Sequence, residues 1–148
     1  MDDALDLAQI NEHVSGFDRL YGLELLALTP QEVRGRVRVR EEVKQPYGLI
    51  HGGLYAAIAE SLASLGTALA VAAEGSYAVG LANSTNFLRP IVAGAVNACA
   101  RPLHRGRTTW VWEVECRDDR ERLCALTRMT IAVRPGSPPQ GEPAQPPG

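Results

Sequence analysis

Lysine is almost missing from this 148-residue sequence: Lys44 is the only one, and the remaining fourteen of its 15 basic residues are arginine. Against 17 acidic residues they leave a formal charge of −2. No net field of either sign draws such a chain onto nucleic acid or a membrane surface, so neither is expected as a partner. Cysteine is scarce. Cys99, Cys116 and Cys124 form no Cys-x-x-Cys pair and no cluster with histidine. That excludes a disulfide scaffold and reads as buried thiols in a reducing, cytoplasmic setting. No 18-residue apolar run free of polar residues suits a membrane span. The first ten residues, with Asp2, Asp3 and Asp6, lack the basic and apolar regions of an export signal.

What is present is ordinary for a single globular domain, with 45% apolar and 22% charged residues. A chain of this length buries roughly two thirds of its unfolded surface, enough for one core. The exception is the end of the chain. Residues 135–148 hold six Pro and three Gly and no aromatic or branched apolar side chain. Such a segment cannot offset its ordering entropy, so the sequence predicts a folded domain over 1–134 and a disordered tail over 135–148.

Hydrophobic spacing supplies the elements. Residues 2–20 carry weak helical spacing for one or two short helices, and Gly22–Ala27 is a possible first strand. From Gln31 to Val39 the chain alternates strictly, with Val33, Gly35, Val37 and Val39 on one side and Arg34, Arg36, Arg38 and Arg40 on the other. That is a half-buried antiparallel strand. Its arginine row reads as a solvated face or a polyanion site. Pro46, Gly48, Gly52 and Gly53 then mark a structured turn, followed by a long Ala- and Leu-rich helix from about Gly53 to Ala73. Beyond Gly75 the pattern is β throughout, in four runs: Tyr77–Leu88, Val96–Pro102, Thr108–Cys116 and Arg122–Val133. A strand, one long helix and then antiparallel strands is an α+β order with one sheet.

The helix carries the chemistry. Leu54, Ile58, Leu62, Leu65 and Leu69 recur at intervals of three and four, forming a stripe suited to packing on the sheet. Ala56, Glu60, Ser64 and Thr67 form a second stripe of mostly small residues. Glu60 is the only carboxylate between His51 and Glu74. A helix this poor in charge is buried on both sides, and one small domain cannot wrap it fully, so the second face implies a partner subunit. A carboxylate at that partly dry boundary is a candidate base or nucleophile. Gly52 and Gly53 stand where a helix has unpaired N–H groups, and those groups with the positive helix end can hold a developing oxyanion. His51 reads as a base, a ligand or an orienting group. No second ligand stands at metal spacing, so no metal is expected. His13 and His104 are isolated.

One set of segments resembles a known family. It runs Lys44-Gln45-Pro46-Tyr47-Gly48-Leu49-Ile50-His51-Gly52-Gly53, then Ala59-Glu60-Ser61, Val79-Gly80-Leu81, Asn86-Phe87-Leu88-Arg89-Pro90 and Pro102-Leu103-His104. It continues through Gly106-Arg107-Thr108-Thr109-Trp110 and Arg122-Leu123-Cys124-Ala125 to Ile131-Ala132-Val133-Arg134. This is similar to the hotdog-fold acyl-CoA thioesterases, in the branch with the Arthrobacter-type 4-hydroxybenzoyl-CoA and the 1,4-dihydroxy-2-naphthoyl-CoA thioesterases. The resemblance implies a curled antiparallel sheet around one long helix. It also implies a homodimer with shared active sites, paired into a homotetramer.

For the site, the resemblance implies Glu60 as the catalytic carboxylate, attacking the thioester or activating water, with the Gly52 N–H polarising its carbonyl. Gln45 and His51 match positions at the thioester or the water, and Ser64 one that orients the acyl group or the water. Arg89, Arg107, Thr108 and Arg134 match positions near the nucleotide and phosphates of CoA. CoA is part of the substrate, and no separate cofactor is implied. Two other readings compete: a hotdog protein that binds acyl-CoA without turnover, and a hotdog dehydratase. The first needs no carboxylate beside a thioester. The second wants an Asp/His pair, where the helix offers Glu60 alone.

Overall fold

The computed structural model describes residues 6–141. Two short helices come first, α1 (Leu7–Glu12) and α2 (Gly16–Tyr21). The Asp6 carboxylate caps α1 by accepting from the Ala8 and Gln9 N–H groups, and Gly22 ends α2 in the left-handed region at φ 82°. The expected helical spacing over residues 2–5 lies outside the described residues. Strands β1 (Glu24–Leu28) and β2 (Val33–Arg38) follow, then the long helix α3 (Gly52–Val71), one 3₁₀ turn, and β3 (Ser76–Phe87), β4 (Ala95–Arg105), β5 (Thr109–Arg117) and β6 (Leu123–Pro135). The last strand runs one residue into the expected tail, because Pro135 pairs with Ser76. Residues 136–141 are irregular and exposed.

The six strands form one antiparallel sheet in the order β1-β2-β4-β5-β6-β3. The helix carries the chain from β2 at one side to β3 at the opposite edge. Register shifts interrupt the ladders between Leu25 and Ala27, Gly80 and Ala82, Pro102 and His104, and Cys116 and Arg117. Each extra residue bends its strand and deepens the twist, which lets the sheet curl round α3. Three of them, Leu26, Leu81 and Leu103, are exposed leucines. Glu121, in the β5–β6 turn, is the one non-glycine with positive φ among the described residues.

Helix α3 contacts β2 through β6. An 18-residue window within Gly52–Glu74 has a mean hydropathy of 1.6, long and apolar enough by composition to cross a membrane, as the core helix of a folded domain also is. Leu54, Ile58 and Leu62 are buried against the sheet as the spacing predicts, but Leu65 and Leu69 are only half-buried. The covered face passes instead through Gly66 and Thr67. A Cβ at Gly66 would stand 2.5 Å from the Trp112 ring and 2.8 Å from Val33. Thr67 does not share the open face with Glu60. It is fully buried, accepting from Trp112 Nε1 at 2.9 Å while donating to the Ala63 carbonyl. The sheet is twisted, so the covered side of the helix rotates along its length. The same face is open at Glu60 and closed about two turns on, at Thr67.

Three of the four arginines in the row, Arg34, Arg36 and Arg40, are spent on pairing, and Arg38 is exposed at the end of β2. Arg36 meets Glu24 at 2.9 Å and Arg34 meets Glu32 at 3.1 Å. Arg40 donates to the Tyr21 and Leu20 carbonyls at the C-terminus of α2. This is the solvated-face reading, with little left over for a polyanion.

Candidate active site

The segment ahead of α3 is built by backbone bonds. Lys44 bridges Ile50, Gln45 N–H donates to Leu49 O at 2.8 Å, and Ile50 N–H donates to Ile91 O at 2.9 Å. These close a compact turn and tie it to the loop after β3. The Gln45 side chain accepts from the Tyr47 N–H. His51 is the N-cap of α3, and its Nδ1 accepts from the Gly53 N–H at 2.9 Å. With Nδ1 engaged as an acceptor, Nε2 is the ring nitrogen left to donate beside the helix end. Leu54 N–H donates to the His51 carbonyl at 3.0 Å. Gly52 occupies the first helical position, where an α-helix offers its N–H no acceptor.

These groups share one cleft. A depression of about 650 Å³ is lined by Gln45, His51, Gly52, Tyr55, Phe87 and Arg89 among others. Gln45, His51, Gly52 and Arg89, four of the residues the sequence singles out, therefore converge in a single chain. Helix end, N–H donors and an arginine at the rim together suit a polarised carbonyl next to an anionic group.

Glu60 and Ser64 stand elsewhere. Glu60 is exposed and lies against β3, where a Cβ at Gly80 would be 3.5 Å from its Oε1. Ser64 is half-buried one turn on. Glu60 is eight residues beyond Gly52, about 12 Å along the axis and roughly a quarter-turn round it. One chain's Glu60 cannot reach a carbonyl held by its own Gly52 N–H. Arg107, Thr108 and Arg134 are further still and exposed. Arg107 borders a separate depression with Ala70, Glu74 and Val133 at the C-terminal end of α3. Val133 N–H donates to the Thr108 carbonyl, which places Thr108 and Arg134 at that end too.

Two polar groups beside Glu60 escape a sequence reading. Asn83 of β3 donates from Nδ2 to the Ala56 carbonyl at 2.9 Å and accepts from Thr85 Oγ1. Tyr21, Ser61 and Asp18 form a bonded triangle between α2 and α3, with Ser61 Oγ donating to Asp18 Oδ1 at 2.6 Å. Burial holds the Tyr21 phenol well above its ordinary range. Asn83 leaves a faint signal as a polar residue within an apolar strand. The triangle joins residues 43 positions apart and leaves none. Among the described residues no three of His, Cys, Asp and Glu stand together as a metal site would need.

Residues 47–125, more than half of the chain, match the family described as Thioesterase superfamily. The chain belongs to that superfamily. A crystal structure of a thioesterase from Haemophilus influenzae is similar at a TM-score of 0.82 and 32% identity, covering 87% of this chain and 90% of that one. A mutant thioesterase from Pseudomonas aeruginosa is similar at 0.83 and 34%, covering 90% and 97%. A 1,4-dihydroxy-2-naphthoyl-CoA hydrolase from Listeria monocytogenes is 34% identical over 119 residues, 80% of this chain and 96% of the relative. The fold is the hotdog fold of these thioesterases, and membership makes the chain an enzyme of the thioester-hydrolase class.

Proposed function

We propose that this superfamily member hydrolyses acyl-CoA thioesters, at a site completed by a second copy of the chain. The observation that carries the reading is the convergence of Gln45, His51 and the Gly52 N–H on one cleft at the start of α3. The thioester oxygen is held by the Gly52 N–H and the positive helix end, which gain strength as that oxygen becomes anionic. The carboxylate is Glu60 of the partner subunit. Either its oxygen attacks the carbonyl carbon, giving a mixed anhydride that water then opens, or it takes a proton from the attacking water. In both routes the C–S bond breaks and CoA leaves as its thiol. Gln45 and His51 are placed to orient thioester or water, and Ser64 adjoins Glu60 one turn on.

The distances support a shared site. Gly52 and Glu60 are about 12 Å apart along one helix, so a single carbonyl meets both only if they come from two helices. Arg89 stands at the cleft, whereas Arg107, Thr108 and Arg134 stand at the far end of the sheet. Two copies related by a two-fold axis bring one copy's far end toward the other's cleft. Edge strand β3 suits such a junction: it is 12 residues long and exposes Val79 and Leu81 beside Glu60. The aromatic wall of the cleft and the naphthoyl-CoA relative favour an aromatic acyl group. CoA is consumed as part of the substrate, and no separate cofactor enters this chemistry.

Release of free CoA from benzoyl-, hydroxybenzoyl-, dihydroxynaphthoyl-, phenylacetyl- and straight-chain acyl-CoAs tests this reading, with Glu60→Gln alongside. Wild-type release that falls by several orders of magnitude in a folded Glu60→Gln protein is expected. Near wild-type turnover in that variant would remove Glu60 from the mechanism. Binding of every thioester without release would make the chain a binding protein.

A further inference from the structure

Phe87 closes β3 in an unusual setting. The N–H groups of Leu88 and Arg89 both donate to the Cys124 carbonyl, at 2.8 and 3.1 Å, and pin the strand end. The ring is thereby set against the start of α3. A Cβ at Gly52 would meet its Cζ at 2.8 Å, Cε1 at 3.0 Å and Cε2 at 3.2 Å, so the far edge of the ring lies on Gly52 itself. Tyr55, one turn into the helix, presents a second ring with centroid 6.2 Å away, tilted by 39°. Tyr55 is buried at 3% exposure, but Phe87 is 61% exposed. A large apolar ring is thus held open to water beside the N–H that would take the substrate carbonyl, with Arg89 at the rim of the same cleft.

We infer that Phe87 is a specificity-determining residue of the thioesterase site: its ring is the platform on which the acyl group lies while the carbonyl meets the Gly52 N–H. This rests on the reading of the cleft given above. The ring adjoins Gly52, so whatever is attached to that carbonyl passes over it. A planar aromatic acyl group meets the exposed Phe87 ring, which Tyr55 backs from the core, by offset or edge-on stacking, and this adds to the apolar area it covers. A flexible alkyl chain covers the same ring by area alone. The platform therefore favours flat acyl groups over chains of similar size. Phe87 is mostly exposed within its own chain, so replacing it disturbs little of that chain's core.

The test compares wild type, Phe87→Ala, Phe87→Leu and Phe87→Tyr. For each, kcat/KM is measured with benzoyl-CoA and hexanoyl-CoA, and the affinity for S-phenacyl-CoA, a thioether that cannot be hydrolysed, by calorimetry. The benzoyl-to-hexanoyl ratio is expected to fall about two- to tenfold in Phe87→Ala and Phe87→Leu, with phenacyl-CoA binding weakened by a similar factor. Phe87→Tyr keeps both. An unchanged ratio, or equal loss on both substrates, overturns the inference and leaves the thioesterase reading intact. If wild type hydrolyses neither these two nor any other thioester of the panel above, yet phenacyl-CoA binding depends on the ring, the thioesterase reading falls and the ring stands as a platform for a bound acyl group. If binding is also indifferent to the ring, both fall.

Discussion

Thr67 shows how one side chain holds the far half of the helix. Its hydroxyl accepts from the indole of Trp112, and both side chains are fully buried. Thr67→Val keeps the shape but leaves Trp112 Nε1 without a partner, at a cost of about 1–3 kcal/mol. A lowered urea midpoint with an unchanged slope is the expected outcome. Cys116 carries a pH signature. Burial pushes its thiol from an ordinary 9.0 up to about 12. The unfolded chain therefore loses this proton first as pH rises. The stability linked to the group is fully present below pH 9 and is lost toward pH 12. Urea midpoints measured across that range should fall less steeply in Cys116→Ala than in wild type.

Among the elements, strands were the most legible in the sequence. Strict alternation in β2 and β5 gave the buried faces residue by residue, because one side of each strand meets the core and the other meets water. The helix was half legible. Its start and length follow from His51, the glycines and the apolar run, but Ala and Leu occur all round it. Only the twist of the sheet decides that Thr67 is covered while Glu60 is open. The bulges were not legible, since Leu26, Leu81 and Leu103 look like core residues until the register shift turns them outward. For the candidate site, the helix start marked His51 and Gly52, and the family resemblance added Gln45 to the same group. Neither could show that Arg107, Thr108 and Arg134 sit at the other end of the molecule, because that depends on β-hairpin connections, not on spacing. Edge strand β3 makes its own prediction. Leu81, 57% exposed on that edge, is expected to lie in the junction between copies. Leu81→Lys should shift sedimentation from dimer or larger toward monomer and lower CoA release together. An unaltered assembly would place the junction elsewhere.

In the whole molecule, the proposed function divides the reaction centre into two halves that one chain holds apart. The cleft at the start of α3 has donors for a thioester carbonyl, and the open face at Glu60 has the carboxylate. A dimer that brings the two together gives each subunit's cleft the other's Glu60, and this is the central claim of the account. It is tested most directly by CoA release from a purified heterodimer, isolated by two tags, in which one subunit carries Glu60→Gln and the other Gln45→Ala. If the site is shared, one of its two centres has both groups intact, and about half of the wild-type activity per dimer returns although each variant alone is impaired. If each chain used its own Glu60, both centres would carry a lesion. The heterodimer would then show no more than the average of the two variants, which contradicts the shared site.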